Sequence, residues 1–359
     1  MDLPLSDEQR QLQDSVARLL AQQGGAKRAR SLRGKAAGFE RVVHAKMAGE
    51  GWFAILVPQE HGGLGLSPIE AALVLMEVGR ALAPEPIAAS MLAAWAVAHS
   101  PIGSIRDELL PSITSGQALI VPAFDADRAG EPRVGAPVRA RATEGTIRLD
   151  GITGHAPHAA HADGFLIEAQ SVLCYVPRAA SGLAIATART VDGRDHGCLE
   201  LTDVQARQVL AAGELDPLFD LALVMSAAEL VGVMSAALDM TLDYLKTRTQ
   251  FGKPIGSFQA LQHRAVDDFT RIVSSRSLLW QVASQGDAMS PALASALKAH
   301  ASGEALKVTK SAIQMHGGIG FTDEHDIGLY LKRAMWLSAY LGNEAVHRKR
   351  YAQHVDADA

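Results

Sequence analysis

The sequence predicts a mostly helical α+β protein in which an antiparallel β-domain lies between two helical regions. Apolar residues recur at helical spacing near both ends of the chain, whereas short alternating or β-branched segments fill the middle. We therefore predict an N-terminal helical domain over 1–115, a middle β-domain over 116–212 and a C-terminal four-helix bundle over 213–359.

The N-terminal domain begins with a capping box, because Ser6 is followed three residues later by Gln9 and then by apolar residues at helical spacing. Pro68 suits the first position of a helix, and it opens a long apolar segment. Residues 88–110 have the pattern of a further helix, rich in alanine. We expect Pro111 to close this helical part of the chain.

The middle domain is predicted from its short strand-like segments, which glycine, aspartate and proline separate. Their spacing is typical of a small antiparallel sheet or barrel. Glu144-Gly145 lies between two alternating segments and is a candidate hairpin turn. His155, His158 and His161 are predicted to lie in a surface loop, with adventitious metal binding as the alternative.

The last third has four segments with apolar faces long enough for an antiparallel bundle. These predicted helices span 217–244, 256–285, 291–316 and 324–351. Between the first two, Gly252, Pro254 and Gly256 break the helical pattern and predict a tight turn.

Composition excludes several classes of function. The net charge of −5 and the sequence pI of about 6.2 give no basic field for nucleic acid. Cys174 and Cys198 are too few for a disulfide framework or a zinc site, so no metal site is expected. No apolar run approaches the roughly 20 residues of a membrane span, and the N-terminus lacks a signal pattern. We expect a cytoplasmic protein that does not cross a membrane.

The segment 244–268 carries the first motif that could do chemistry. Arg248, Gln250, Phe251 and Lys253 place a permanent cation, an amide, an aromatic face and an ammonium within six residues. An anion beneath a flat ring system would suit this set. The alternative is a solvated helix end with one buried phenylalanine.

The second motif is QMHGGIGF, residues 314–321, in which a helix is expected to end at Gly317-Gly318. Paired glycines let the backbone approach a ligand closely. An ordinary helix stop is the alternative. His316 in this motif and His263 in the first lack a neighbouring acid or nucleophile at catalytic spacing, so we predict structural roles for both.

Together, RTQFGKPI, FQALQHR and QMHGGIGF resemble the signature of acyl-CoA dehydrogenases, flavoproteins that desaturate acyl thioesters between Cα and Cβ. The resemblance runs through nearly the whole chain in order and is weakest in the middle third. It implies the helix–sheet–helix fold of that family, FAD as cofactor, an acyl-CoA substrate and an electron-transfer flavoprotein as electron acceptor.

The resemblance also assigns roles to residues of both motifs. Arg248 and Gln250 would reach the pyrophosphate of an FAD held by the neighbouring subunit, and Phe251 would pack near its rings. The residues placed against the adenine and ribose end of that FAD are Gln314, Gly317 and Gly318.

Two departures from the family concern the catalytic base. At the two places where acyl-CoA dehydrogenases carry the catalytic glutamate, this chain has Leu341 and Ala222. Neither side chain can accept a proton, so no catalytic residue is predicted. Glu344 is the fallback because it lies about one helical turn from Leu341.

The middle third also departs from the family at residues that contact the flavin. His155 and Pro157 stand where the family has a tryptophan and a threonine beside the flavin ring. The first hypothesis is therefore a non-catalytic partner chain, similar to small subunits of heterotetrameric dehydrogenases that degrade dicarboxylic, lipid or steroid side-chain thioesters. Its homologous partner would supply the base. The alternatives are a homomeric flavoenzyme that uses Glu344 and a scaffold without flavin.

Overall fold

The computed structural model of the protein describes residues 5–35, 38–131, 135–143 and 146–357. These residues form two compact units, described here one at a time. The first unit comprises the described residues of Met1–Ser31, Ala72–Ala83 and Leu223–Ala359, and the second those of Leu32–Ala71 and Pro84–Ala222. The division into three domains stays a prediction.

The helices that precede the sheet are α1 (Asp7–Gln22), α2 (Gly25–Leu32), α3 (Arg41–Gly49), α4 (Pro68–Ala81), α5 (Ile87–Ala98) and α6 (Gly103–Thr114). The capping box is confirmed: Gln9 N donates to Ser6 Oγ at 3.2 Å, and Ser6 N donates to Gln9 Oε1 at 3.0 Å. Pro68 begins α4 as predicted.

The expectation of one helix over 88–110 that closes at Pro111 is wrong. Pro111 lies inside α6, and the break falls earlier, between α5 and α6. Pro101 lies in that break, where its ring disfavours a helical conformation at Ser100. The alanine-rich composition before Pro101 and the apolar residues after it concealed the interruption.

The strands of the second unit are β1 (Ile120–Ala123), β2 (Arg139–Thr143), β3 (Thr146–Ile152), β4 (Ala156–Pro157), β5 (Gly164–Ala169), β6 (Val172–Pro177), β7 (Leu183–Arg189) and β8 (Asp195–Leu210). The sheet order is β1-β5-β6-β8-β3-β2, and β4 and β7 also pair with β8. Every one of these pairs is antiparallel except β1 with β5. A predominantly antiparallel middle sheet is therefore confirmed, while the predicted turn at Glu144-Gly145 lies outside the described residues.

The core of the second unit corrects the prediction for the histidine-rich segment. Ala156 and Pro157 are buried in β4, and His158 is buried with a left-handed φ of 59°. Its ring packs edge-on against buried Phe39 at 5.7 Å between centroids, and His161 contacts the same ring. This segment is part of the core rather than a surface loop.

The first unit contains α8 (Gln259–Ala283), α9 (Pro291–His316), α10 (Ile327–Ala339), α11 (Glu344–Ala357) and most of α7 (Leu215–Thr247). The predicted single helix over 324–351 is wrong, because Leu341 and Gly342 take left-handed φ values of 60° and 97° and separate α10 from α11. The chain there therefore has five helices where four were predicted, among the described residues.

Helix α7 also corrects the expectation about apolar runs, since it is long and apolar enough to cross a membrane by length and composition. In this protein, 89% of its most apolar 18-residue window is buried. Its neighbour in the first unit is α4, and a Cβ atom at Gly232 of α7 would lie 1.9 Å from Met76 O. Helix α7 is a core helix whose glycine permits close backbone packing.

Candidate functional site

The first predicted motif folds into a two-residue hairpin between β9 (Thr249–Gln250) and β10 (Lys253–Pro254). Its turn residues, Phe251 and Gly252, have φ values of 53° and 75°, which is the pattern of a type I′ turn. Glycine suits this conformation, but a phenylalanine adopts it only at a steric cost. Phe251 is nevertheless 90% exposed. A strained, exposed aromatic residue indicates a surface prepared for a contact outside the chain.

Arg248 is fixed through its backbone and open at its side chain. Its N–H donates to Tyr244 O and its carbonyl accepts from Ile255 N, both at 2.8 Å. The side chain is exposed, and within the part of the chain that the structure describes it has no ion pair or hydrogen bond. A planar cation held in this way has all its donors available for a phosphate group.

The other polar residues of the hairpin are partly engaged. Gln250 is exposed, and its amide donates to Thr249 O at 2.8 Å. The Lys253 ammonium lies 4.4 Å from the centroid of the Phe258 ring in a cation–π contact. Arg248 is thus the cation of this motif with the most unused hydrogen-bonding capacity.

The second motif ends α9 with an open glycine turn. Gly317 has φ 65° and ψ −144°, a conformation largely confined to glycine. A Cβ atom at Gly317 or Gly318 would have no described atom within 4 Å, whereas one at Gly320 would lie 2.6 Å from Ile313 O. Internal packing therefore requires Gly320, while Gly317 and Gly318 leave backbone accessible to a ligand.

The predicted cofactor-binding residues share one property, which is exposure on the first unit. They are Arg248, Gln250, Phe251, Gln314, Gly317 and Gly318. Phe321, just after the second motif, is 80% exposed. Large apolar surfaces that remain exposed are typical of sites that contact another molecule.

The structure places the two histidines of these motifs differently. His263 is exposed on α8, and its structural role stays a prediction. His316 is buried, and its Nδ1–H donates to Ala312 O at 2.8 Å, as expected of a structural histidine. Its ring stacks on Tyr244 at 4.6 Å between centroids, which brings the ends of α7 and α9 together. The two motifs follow directly from those ends.

The two positions that the resemblance assigns to the family's catalytic glutamate are apolar and buried. Ala222 is 2% exposed on α7, and Leu341 is 1% exposed in the turn before α11. Glu344 is the first residue of α11, where its Oε1 pairs with Arg348 at 2.5 Å. Its Oε2 would lie 2.7 Å from a Cβ atom at Gly303 of α9, so the carboxylate also packs against that helix.

Two buried basic side chains support the turn at Leu341 and Gly342. Lys298 is fully buried and its Nζ donates to Leu337 O at 2.8 Å and Gly342 O at 3.2 Å. His347 Nε2 donates to Leu341 O at 2.7 Å. Burial lowers the pKa of Lys298 to about 7 and that of His347 to about 3. These hydrogen bonds from Lys298 and His347 therefore hold the turn in place, although neither Leu341 nor Gly342 is acidic.

Lys298→Met should remove a pH-dependent part of the free energy of unfolding. The folded chain favours the neutral amine because burial lowers its pKa to about 7, whereas the unfolded chain holds the proton up to the ordinary lysine value. Between these values the unfolded state binds more protons, so stability rises with pH. Relative to the variant, the natural chain should gain about 2 kcal/mol from about pH 7 to about pH 9. Urea titrations measure this, and a difference that does not change with pH would contradict it.

In the second unit, the segment predicted to face a flavin ring is hydrogen-bonded to other residues of this chain. His155 donates to Glu131 through its backbone N–H at 2.9 Å, and its Nδ1 lies 2.8 Å from the same carboxylate. This hydrogen bond raises the pKa of His155. Arg128 pairs with buried Glu168 at 2.6 Å and with Asp216. These polar groups are satisfied internally and are not free for a cofactor.

Comparison with known proteins agrees with this arrangement at both ends of the chain. The family model of the acyl-CoA dehydrogenase N-terminal domain matches residues 6–117, and that of the C-terminal domain matches 218–355. The acyl-CoA dehydrogenase IpdE2 of Mycolicibacterium smegmatis is 31% identical over 340 residues, which are 94% of this chain and 96% of IpdE2. The chain belongs to the acyl-CoA dehydrogenase family. Residues 118–217 lie outside both matched ranges.

Two solved structures are similar to this chain over almost the full length. One is a steroid acyl-CoA dehydrogenase, Tcur3481-Tcur3483 G363A, with a TM-score of 0.91, 28% identity and 98% coverage of both chains. The other is the ChsE4-ChsE5 complex of Mycobacterium tuberculosis, with a TM-score of 0.89, 26% identity and 99% coverage of both chains.

The residues of this acyl-CoA dehydrogenase fit one end of the family's cofactor, FAD. Exposed Arg248 and the open backbone at Gly317 and Gly318 suit a dinucleotide that approaches from outside the first unit. The described ranges contain no group of three or more histidine, cysteine, aspartate or glutamate side chains that could hold a metal ion.

Proposed function

We propose that this chain is the non-catalytic subunit of a heteromeric acyl-CoA dehydrogenase and lends residues to an FAD held mainly by a homologous catalytic subunit. One observation carries the proposal: the Arg248 side chain is exposed and has no partner among the described residues, whereas Leu341 and Ala222, at the family's base positions, are buried and apolar. The chain is equipped to hold a cofactor and lacks the group that would remove a proton.

Each donated residue has a defined task in this proposal. The Arg248 guanidinium holds the pyrophosphate with paired hydrogen bonds, and the Gln250 amide adds a neutral one. Gly317 and Gly318 let the backbone approach the adenosine end, because no Cβ atom stands there. Phe251 covers part of the cofactor from the hairpin turn. Bound FAD would supply the hydride acceptor for the acyl thioester, and the partner would supply the glutamate base.

The similar proteins favour an unlike partner. The names Tcur3481-Tcur3483 and ChsE4-ChsE5 each describe a complex of two chains, and the first is a steroid acyl-CoA dehydrogenase. We extend both features to this chain: a heterotetramer with two copies of each subunit, and a steroid side-chain acyl-CoA as substrate. An electron-transfer flavoprotein as electron acceptor and a cytoplasmic location complete the proposal.

A homomeric enzyme that uses Glu344 is the second candidate. It is favoured by the position of Glu344, three residues after Leu341 and partly exposed. The ion pair with Arg348 opposes it, because it engages the carboxylate within its own helix instead of leaving it open to a substrate.

Glu344→Gln separates the two candidates. Glutamine has nearly the same shape but cannot take up a proton, so a true base would lose about a hundredfold to ten-thousandfold in kcat. We expect kcat of the co-purified complex on steroid side-chain and straight-chain acyl-CoA esters to be unchanged. Ala222→Gly changes a position where the family can carry its catalytic glutamate, and it serves as a control for mild changes in packing. A large loss of kcat in Glu344→Gln alone would replace the proposal by the homomeric enzyme.

A further inference from the structure

Three aromatic rings pack together where the two exposed motifs of the first unit begin. The His316 ring stacks on Tyr244 with an interplanar angle of 23° and centroids 4.6 Å apart. The His325 ring lies 4.6 Å from the His316 ring at 55°. Tyr244 and His325 also contact each other edge-on, at 6.3 Å between centroids. The rings therefore form one compact cluster, which we call the three-ring stack, and His316 makes its two shorter contacts.

The stack joins both motifs through the backbone. Tyr244 O accepts the hydrogen bond from Arg248 N at 2.8 Å, so a shift of the tyrosine moves the start of the hairpin. His316 immediately precedes the glycine turn, in which the Gly317 N–H donates to Gln314 O. A change in the distance between the Tyr244 and His316 rings would thus change the distance between the two motifs.

The outer ring is itself anchored. His325 Nδ1 accepts from Ile327 N at 3.2 Å at the start of α10. The neighbouring Asp326 pairs with Arg30 at 2.8 Å, and both side chains of this pair are largely buried. His325 thus adds an anchored third ring to the stack, in contact with both His316 and Tyr244.

His316 is held as a neutral ring. Its Nδ1–H donates to Ala312 O, which leaves the lone pair on Nε2. That nitrogen is buried without a hydrogen-bond partner among the described residues. The orphaned nitrogen contributes no hydrogen bond to the fold, so the stabilising contacts of this side chain are the bond from Nδ1–H to Ala312 O and those of its ring faces.

We propose that His316 is a positioning residue, whose ring sets the separation between the Arg248–Gln250 hairpin and the Gln314–Gly318 turn so that both reach one dinucleotide. The inference rests on the proposed function, because it assumes that both motifs bind the same FAD. His316 itself does not touch the cofactor. A loss of the ring should therefore weaken FAD binding without altering the chemistry of the loaded complex.

The test compares His316→Ala with His316→Phe in the complex with the partner subunit. FAD is removed, and its dissociation constant is measured by titrating FAD fluorescence. We expect about a tenfold weaker affinity for His316→Ala, equal to about 1.4 kcal/mol, and a change of less than about threefold for His316→Phe, which keeps a stacking ring. At saturating FAD, kcat should return to the natural value in both.

His44→Ala is the matched control. His44 is also fully buried, its ring lies 4.6 Å from that of Phe53, and its Nε2 lies 2.9 Å from Ser90 Oγ. It belongs to the second unit, far along the chain from either motif. We expect His44→Ala to lower the Tm of the complex as His316→Ala does, but to leave the FAD dissociation constant unchanged.

Tyr244→Leu and Tyr244→Phe report on the same stack if His316→Ala does not fold. The leucine variant should weaken FAD binding and the phenylalanine variant should not. Equal FAD affinity in His316→Ala and His44→Ala would overturn the inference, as would equal losses in His316→Phe and His316→Ala. If Arg248→Ala also retains FAD, the proposed function has failed; if only the His316 and Tyr244 variants retain it, the positioning role alone has failed.

Discussion

We expect the Arg248→Ala complex to lose bound FAD during gel filtration while the chain stays folded. The guanidinium is exposed and unpaired among the described residues, so the variant loses no internal contact and the free energy of unfolding should change by less than about 0.5 kcal/mol. A paired, charge-assisted contact with a pyrophosphate is worth about 1.5–3 kcal/mol, so the FAD dissociation constant should rise about tenfold to a hundredfold. Flavin absorbance after gel filtration measures the retained cofactor.

Two further variants define what Arg248 contributes. Arg248→Lys keeps the charge but not the planar fork, and it should recover only part of the affinity. Arg10→Ala removes the same charge from an exposed arginine of α1, where the existing partner is Asp7 at 3.0 Å. It should retain FAD fully. A complete flavin content in Arg248→Ala would show that Arg248 is not a phosphate ligand, and the donation of residues across the interface would fail with it.

The sequence identified the motifs but not their conformation. Helical periodicity on both sides of Gly252 and Pro254 predicted the turn, and the structure has a turn there. Asparagine or glycine would signal a type I′ turn, whereas Phe251 does not, so its left-handed φ of 53° was not predictable from local preference. Such a conflict between local preference and fold is typical of a functional surface.

The break before α11 had a signal that the periodicity obscured. Gly342 can end one helix, and Asn343 can cap the next, since its Oδ1 accepts from Ala345 N at 3.0 Å and Val346 N at 3.1 Å. Apolar residues continue at helical spacing through Trp336 and Leu341, which favoured one long helix. Capping residues should therefore have outweighed the apolar pattern at this point.

The buried polar groups were beyond the reach of the sequence. Lys298 stands in an apolar helical stripe, but the carbonyls that accept its hydrogen bonds, Leu337 O and Gly342 O, lie about 40 residues later. The pair of Glu131 with His155 likewise joins residues 24 apart. Local patterns cannot tell a lysine that is buried and bonded from one that extends to solvent.

The His155–Glu131 pair in the second unit bears on how many FAD molecules the complex holds. If this chain lends Arg248 and its neighbours to a partner's flavin but builds no ring site of its own, each pair of unlike chains holds one FAD. A second flavin that needed a hydrogen bond from His155 would compete with Glu131, and each polar group left unpartnered costs about 1–3 kcal/mol. A complex of two copies of each chain should therefore contain two FAD.

Co-expression of the two chains, native mass spectrometry and flavin quantitation measure this ratio directly. A double variant, Glu131→Ala with His155→Ala, tests the same division of labour more strictly. It removes the hydrogen-bonded pair from the segment predicted to face the flavin ring. Since the base would still be missing at Leu341, the double variant should remain inactive on acyl-CoA when expressed alone. Four FAD in the natural heterotetramer, or dehydrogenase activity from this chain by itself, would contradict the division of labour and make Glu344 the leading candidate for the base.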